Sequence, residues 1–266
     1  MRVLFLTPLV LLAACSGEKP PAPAPSTNAP VAAPMPPEPP VQTPVTAREV
    51  HEKNELYEFD YSYPAAAGAV PELKALLDNE LEEARRELKA QATEGRKAAK
   101  ESGFPYNPYT HTVEWKVVTD LPAWISLSTL VGFYSGGAHP NYVYDTVLWD
   151  RIAAKRRAPV DLFTSKEALR GAIRARFCEE LDRQRARKRS GSGRGDIPEF
   201  SDCIDPTEQT VILGSSNGKA FDRIGILVAP YAAGPYAEGD YEVTLPVTQK
   251  VLDAVRPEFK AAFVAR

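Results

Sequence analysis

The sequence is poor in the residues that carry most protein chemistry: 266 residues hold three cysteines, three histidines and two methionines. The cysteines lie at 15, 178 and 203, so there is no C-x-x-C pair, and the histidines at 51, 111 and 139 form no H-E-x-x-H or H-x-E pattern. A thiol redox centre or a zinc site read from local spacing is thereby excluded, and any metal site would have to be assembled by the fold. No glycine-rich loop opens a helix, which removes the usual phosphate cradle, and neither a nucleotide nor another cofactor is expected. The longest apolar run, Val3 to Leu12, is about half the roughly twenty residues that a membrane-crossing helix needs. Excess charge is also lacking. A formal net charge of -3, which becomes -4 if Arg2 leaves with a leader, argues against a nucleic-acid partner.

What the chain does have begins at its start. Met1-Arg2 supplies a positive end, Val3 to Leu12 an apolar stretch, and Leu12-Ala13-Ala14-Cys15 a small-residue close before cysteine. This is the pattern of an export signal over residues 1–14. It resembles the bacterial lipoprotein signal, which implies lipidation of Cys15, membrane attachment through that lipid and, with Ser16 next, the periplasmic face of an outer membrane. Residues 15–48 follow as a Pro/Ala-rich tether including Pro36-Pro37-Glu38-Pro39-Pro40. Such a composition cannot bury a core, and as extended polyproline II it reaches about 90 Å at most. With Cys15 committed to lipid, Cys178 and Cys203 remain, and an exported protein is expected to join them as a disulfide.

The rest reads as α+β: an antiparallel sheet packed by two or three helices. Tyr57, Phe59, Tyr61 and Tyr63 alternate with polar residues, the mark of a half-buried strand. From Pro71 onward Leu73, Leu77, Leu81, Ala84 and Leu88 recur at helical spacing, with Glu82 and Arg86 expected to pair on the wet side. Val113, Trp115 and Val117 suggest one strand, Trp124 to Tyr134 another, and Tyr142 to Trp149 a strand buried on both faces. Val160-Asp161-Leu162-Phe163 is expected as a short strand, and Thr164 with Glu167 as a capping box. The helix that follows carries Leu169, Ile173, Phe177 and Leu181 inward. It ends in Arg183, Arg185, Arg187, Lys188 and Arg189, expected as a solvated face that complements the helix dipole. Thr210 to Leu213 and Ala220 to Val228 read as a hairpin turned by Asn217-Gly218. Two Pro-Tyr-Ala units then form turns, Tyr241, Val243 and Leu245 alternate as a strand, and Thr248 caps a last helix.

Two serine readings arise. Gly214-Ser215-Ser216-Asn217-Gly218 matches G-x-S-x-G, but the residues after it are strand-forming and no histidine follows, so it is not a nucleophile elbow. Ser135, His139 and Asp145 are the weaker catalytic candidates, since a serine nucleophile needs a base and the base an orienting carboxylate. The bland alternative is that Gly136 and Gly137 permit a sharp turn and His139 bonds locally. Arg194-Gly195-Asp196 is a chance tripeptide.

Tyr134-Ser135-Gly136-Gly137-Ala138-His139-Pro140, the later Val160-Asp161-Leu162-Phe163 leading into a helix, and Pro230-Tyr231-Ala232-Ala233-Gly234 together resemble the bacterial extracytoplasmic domain of unknown function 3298. Tyr57 to Glu101 is similar to its usual companion, domain of unknown function 4163. The resemblance divides the chain into a companion part over 49–110 and an RsiV-like part over 111–266, expected as one compact unit. Relatives of this kind include RsiV-type anti-sigma factors, whose outer domain binds lysozyme, and PdaC-type peptidoglycan deacetylases. Neither sigma regulation nor deacetylation is expected here. The resemblance implies an envelope binding module, more a binder than an enzyme, with a lysozyme-like protein or peptidoglycan as ligand. An envelope hydrolase using Ser135 and His139, or a scaffold lipoprotein, are the alternatives.

Overall fold

The computed structural model describes residues 47–189 and 198–266. The leader at 1–14, lipidation at Cys15, the tether up to Thr46, Ser190 to Gly193 and the Arg194-Gly195-Asp196 tripeptide lie outside the described residues.

The first strand, β1 (Arg48–Lys53), was not foreseen, because its polar face and lack of apolar alternation hide it; it gains its place by pairing antiparallel with β2 (Tyr57–Tyr63). β2 behaves as its alternation predicts, with Phe59, Tyr61 and Tyr63 buried. One helical turn, α1 (Ala65–Gly68), leads into α2 (Pro71–Ser102), which starts on proline and ends at Gly103 in the left-handed conformation. Leu73, Leu77, Leu81 and Leu88 of α2 are buried against the sheet. On its wet side the pairing differs from expectation: Glu82 pairs with Arg85 at 2.8 Å, and Arg86 with Glu83, both three residues apart.

The Val113-Trp115-Val117 stretch is two strands, β3 (Tyr109–Glu114) and β4 (Lys116–Leu121), broken at Trp115. Trp115 is buried, its indole N–H donating to the Tyr61 hydroxyl (3.0 Å), while Val117 is exposed. The break lets the long strand β5 (Trp124–Tyr134) pair with β4 along its first half and β3 along its second. β6 (Asn141–Asp150) pairs with β5 along ten positions, and β7 (Lys155–Arg157) closes that edge. The sheet order is β1-β2-β3-β5-β6-β7 with β4 beside β5, antiparallel throughout except for the parallel pair β2-β3.

Val160 to Phe163 is not a strand. Residues Pro159–Leu162 form a 3-10 turn, because Pro159 presets its start and only Phe163 bridges to Val255. The next helix, α3 (Lys166–Lys188), is capped by Ser165, whose hydroxyl accepts from the Ala168 N–H at 3.1 Å, rather than by Thr164. Leu169, Ile173, Phe177 and Leu181 are buried as the period requires. A disulfide joins Cys178 to Cys203, with Cα atoms 5.5 Å apart. A second, three-stranded sheet is built from β8 (Thr210–Gly214), β9 (Arg223–Val228) and β10 (Tyr241–Pro246), and α4 (Gln249–Ala254) is capped by Thr248.

Two cores share the large sheet. Phe59, Val113, Leu127, Val147 and Trp149 pack beneath α2, while Trp124 and Leu148 point the other way, into a core with α3 and the small sheet. β6 is thus buried on both faces at its far end, as its mixed alternation suggests. No described helix is long and apolar enough to cross a membrane.

Candidate functional site

The basic end of α3 builds the site indirectly. It is not simply a solvated face: Arg185 is fully buried, and its Nε donates to the Ala233 carbonyl at 3.0 Å. Arg189 forks onto Glu238 with two bonds of 2.8 and 2.9 Å, and Lys188 donates to the Glu238 carbonyl at 2.7 Å and also to that of Asp240. Arg183 and Arg187 of this run point away from that segment and pair with Glu180. Three cations therefore clamp the segment 230–241. Burial would raise the Glu238 carboxyl, but the bonds from Arg189 and Tyr241 outweigh it and hold it below the ordinary range. Conversely burial, with the Glu238 carboxylate beside it, pushes the Tyr241 hydroxyl up to about 12.

The clamped segment meets the Gly136-Gly137 turn, almost a hundred residues earlier in the chain. Gly136 and Gly137 take φ of 93° and 96°, which a side chain would strain, and so bend β5 into β6 tightly enough to present His139 outward. The His139 ring stacks on Tyr236 with centroids 4.1 Å apart and 25° between planes. Tyr236 donates to the Pro140 carbonyl at 2.7 Å, and His139 Nδ1 donates to the same oxygen at 2.8 Å. Tyr231 lies 5.6 Å from Tyr236, half exposed, with a φ of 68° that is rare for a bulky residue. Such an outlier is kept only where its surroundings hold it.

Beside this row of rings, Tyr142 donates to Asp240 at 3.3 Å and Tyr144 donates to the other oxygen of Asp240. Burial first, and the Asp240 carboxylate second, raise both phenols above their usual range, so they stay protonated donors at neutral pH. The arrangement is an exposed platform of stacked rings edged by phenol and carboxylate groups. It can hold a flat, hydroxyl-bearing ligand through its C–H faces and its polar edge.

The Ser135, His139 and Asp145 trio does not assemble. Among the described residues no hydrogen bond links any two of the three. The period of a strand explains it: Tyr144 faces Asp240, so Asp145 faces the opposite side, where it bonds Arg156 at 3.0 Å and lies near Glu80. Ser135 lines a separate cleft of 310 Å³ with His111 and Glu87, between α2 and the end of β5. Burial holds His111 neutral, its pKa lowered, and no bond joins it to Ser135. Ser216 donates to Asp222, and the element that directly follows it is the strand β9 rather than a helix.

The fold gathers one set of ligand-type side chains that no local spacing announces. The β1-β2 register sets His51 opposite Asp60 and brings Glu58 near, and their ligand-type atoms all lie within 4.8 Å of one another. These groups are occupied with each other: His51 sits 2.5 Å from Asp60, and Lys53 donates to Glu58 at 2.7 Å. The hydrogen bond and charge of Asp60 raise the His51 pKa, so a metal ion would compete with both a proton and an ammonium.

Set beside known proteins, the chain superposes on the crystal structure of a DUF3298 family protein from Pseudomonas aeruginosa with a TM-score of 0.50 and 15% identity, covering 84% of this chain and 99% of that one. The fold is the DUF3298 fold. A DUF3298 family member from Bacteroides fragilis also matches, with a TM-score of 0.48 and 18% identity over 81% of this chain and 95% of that one. No curated protein matches. The family model described as "Deacetylase PdaC" matches residues 50–142, from β1 into β6. This overturns the expectation that the chain is more a binder than an enzyme. That expectation rested on the expected anchor, tether and disulfide together with the family resemblance, whereas residues 50–142 match a family named for an enzyme. Within the DUF3298 fold, sequence reasoning missed Tyr236, Tyr142, Tyr144 and Asp240. A usable signal was present in the repeated Pro-Tyr-Ala units, which place tyrosines in turns where a core has no use for them.

Proposed function

We propose that this protein is an exported envelope protein, lipidated on Cys15, whose ring platform recognises a glycan of the peptidoglycan class. In this reading Tyr57 to Glu101 is the companion domain 4163, and residues 15–48 carry the folded unit away from the membrane. The observation that carries the proposal is the convergence of His139, Tyr236 and Tyr231 into one row, exposed at both ends and half-buried at Tyr236, with Asp240 at its edge. Stacked rings suit the C–H faces of pyranoses, and carboxylate and phenol groups suit their hydroxyls. The match of residues 50–142 to a deacetylase family supports an acetylated glycan as the ligand class.

The test is sedimentation of the full chain with purified peptidoglycan and titration with N-acetylglucosamine oligomers, for the native sequence, Tyr236→Ala and His139→Ala. Binding that falls at least tenfold in both variants is expected. Absence of glycan binding by the native chain overturns the proposal, and retention on immobilised lysozyme in that case assigns the surface to a lysozyme-like partner. Acetate release measured in the same mixtures reports whether recognition is coupled to catalysis.

A further inference from the structure

At the opposite end of β5 from the Gly136-Gly137 turn lies a half-open cleft of 450 Å³, between the β4-β5 turn, the β6-β7 turn and the C-terminal segment Pro257–Ala262. Its volume and mainly apolar lining are those of a small-molecule site. Trp124 and Phe259 form its floor, edge to face with centroids 6.0 Å apart. Ile152 stands at its mouth with 86% of its surface exposed.

The polar groups in this cleft are few and unequal. Asp150 is buried and saturated: it accepts from the Ile152 and Ala153 N–H groups at 3.1 and 2.9 Å and from Arg157 Nε at 2.7 Å. Arg157 is not saturated. Its guanidinium lies 4.9 Å above the Phe259 ring, and beyond the Nε bond its two terminal nitrogens have no protein partner among the described residues. A planar guanidinium stacked on an aromatic ring, with its terminal pair of N–H groups free, presents the fork that takes a carboxylate end-on. Lys219 adds a second cation at the mouth, opposed there by Glu258.

We propose that this cleft binds a small amphiphilic monocarboxylate, its apolar body on Trp124 and Phe259 and its carboxylate on the terminal nitrogens of Arg157. The site is separate from the ring platform and does not depend on the glycan reading. The probes are decanoate and its uncharged counterpart decanamide, titrated into the full chain by calorimetry. Because Arg157 neutralises buried Asp150, its removal endangers folding. The informative variants are at exposed positions: Ala153→Trp, which fills the mouth, and Lys219→Glu, which reverses its charge.

Decanoate is expected to bind one to one, with decanamide at least tenfold weaker, Ala153→Trp abolishing binding and Lys219→Glu weakening it several-fold. Failure of decanoate to bind at millimolar concentration overturns the proposal. So does equal affinity for the amide, or unchanged binding by Ala153→Trp.

Discussion

At the scale of single residues, the buried cation and a half-buried imidazole are where the structure departs most from a surface reading of the sequence. Arg185 sits with no exposed surface and holds Ala233 in place. Arg185→Leu removes a charged donor from that carbonyl and is expected to cost roughly 2 kcal/mol in urea unfolding, and on the proposed function to weaken glycan binding in parallel as the 230–241 segment loosens. His111, stacked on Phe59 at 5.9 Å, has a pKa lowered by burial. The unfolded chain therefore takes up this proton first, and stability is lost as pH falls below about 6.5, the free imidazole value, until the folded state protonates too. His111→Phe is expected to flatten the fall in urea midpoint between pH 7 and pH 5. His51 works in the opposite sense, since Asp60 raises its pKa and its contribution is lost as pH rises through that value. It is common to both proteins, so their difference isolates His111. Asp150, Asp222 and Glu238, whose carboxyls are held low despite burial, add an acid limb below that window.

At the scale of elements, α3 does two jobs. Its apolar stripe packs the second core, and its last turn positions the platform through Lys188 and Arg189. The disulfide fixes the middle of that helix to the segment before β8, 25 residues on. Cys203→Ser is expected to lower stability by about 3 kcal/mol in the chain-entropy account, visible as a lower urea midpoint that reducing agent reproduces in the native chain. β9 is equally constrained: a Cβ on Gly225 would sit 2.5 Å from Ile212 on β8. Gly225→Val is therefore expected to splay the small sheet and lower the melting temperature, read by circular dichroism.

At the scale of the whole molecule, the large sheet is a shared wall. β5 and β6 give Leu127 and Val147 to one core and Trp124 and Leu148 to the other, so neither core can melt without exposing the back of the other. The proposed parts 49–110 and 111–266 are joined through β3, which pairs with β2 on one side and β5 on the other. Leu77→Ala in the first core and Phe177→Ala in the second are each expected to cost about 3 kcal/mol and to shift a single transition seen alike by far-ultraviolet and tryptophan signals. Two separated transitions would show instead that the parts fold independently.

Much of this fold is legible in the order of residues alone. The stripes Leu73 to Leu88 and Leu169 to Leu181 and the alternation at Tyr57 to Tyr63 and at Tyr241 to Leu245 each state a local period that one buried face enforces, and the Asn217-Gly218 turn is legible from the positive φ that Gly218 takes. The Cys178–Cys203 pair is legible because only two cysteines lie beyond Cys15. What local order could not state was decided by partners distant in the chain. β1 is a strand because β2 offers it hydrogen bonds, Trp115 breaks a strand because Tyr61 receives its indole N–H, and three of the basic residues ending α3 bond to the 230–241 segment. The platform is the clearest case. His139 and Tyr236 acquire a joint surface only when two turns almost a hundred residues apart are packed together, and no period or motif along a single segment carries that information.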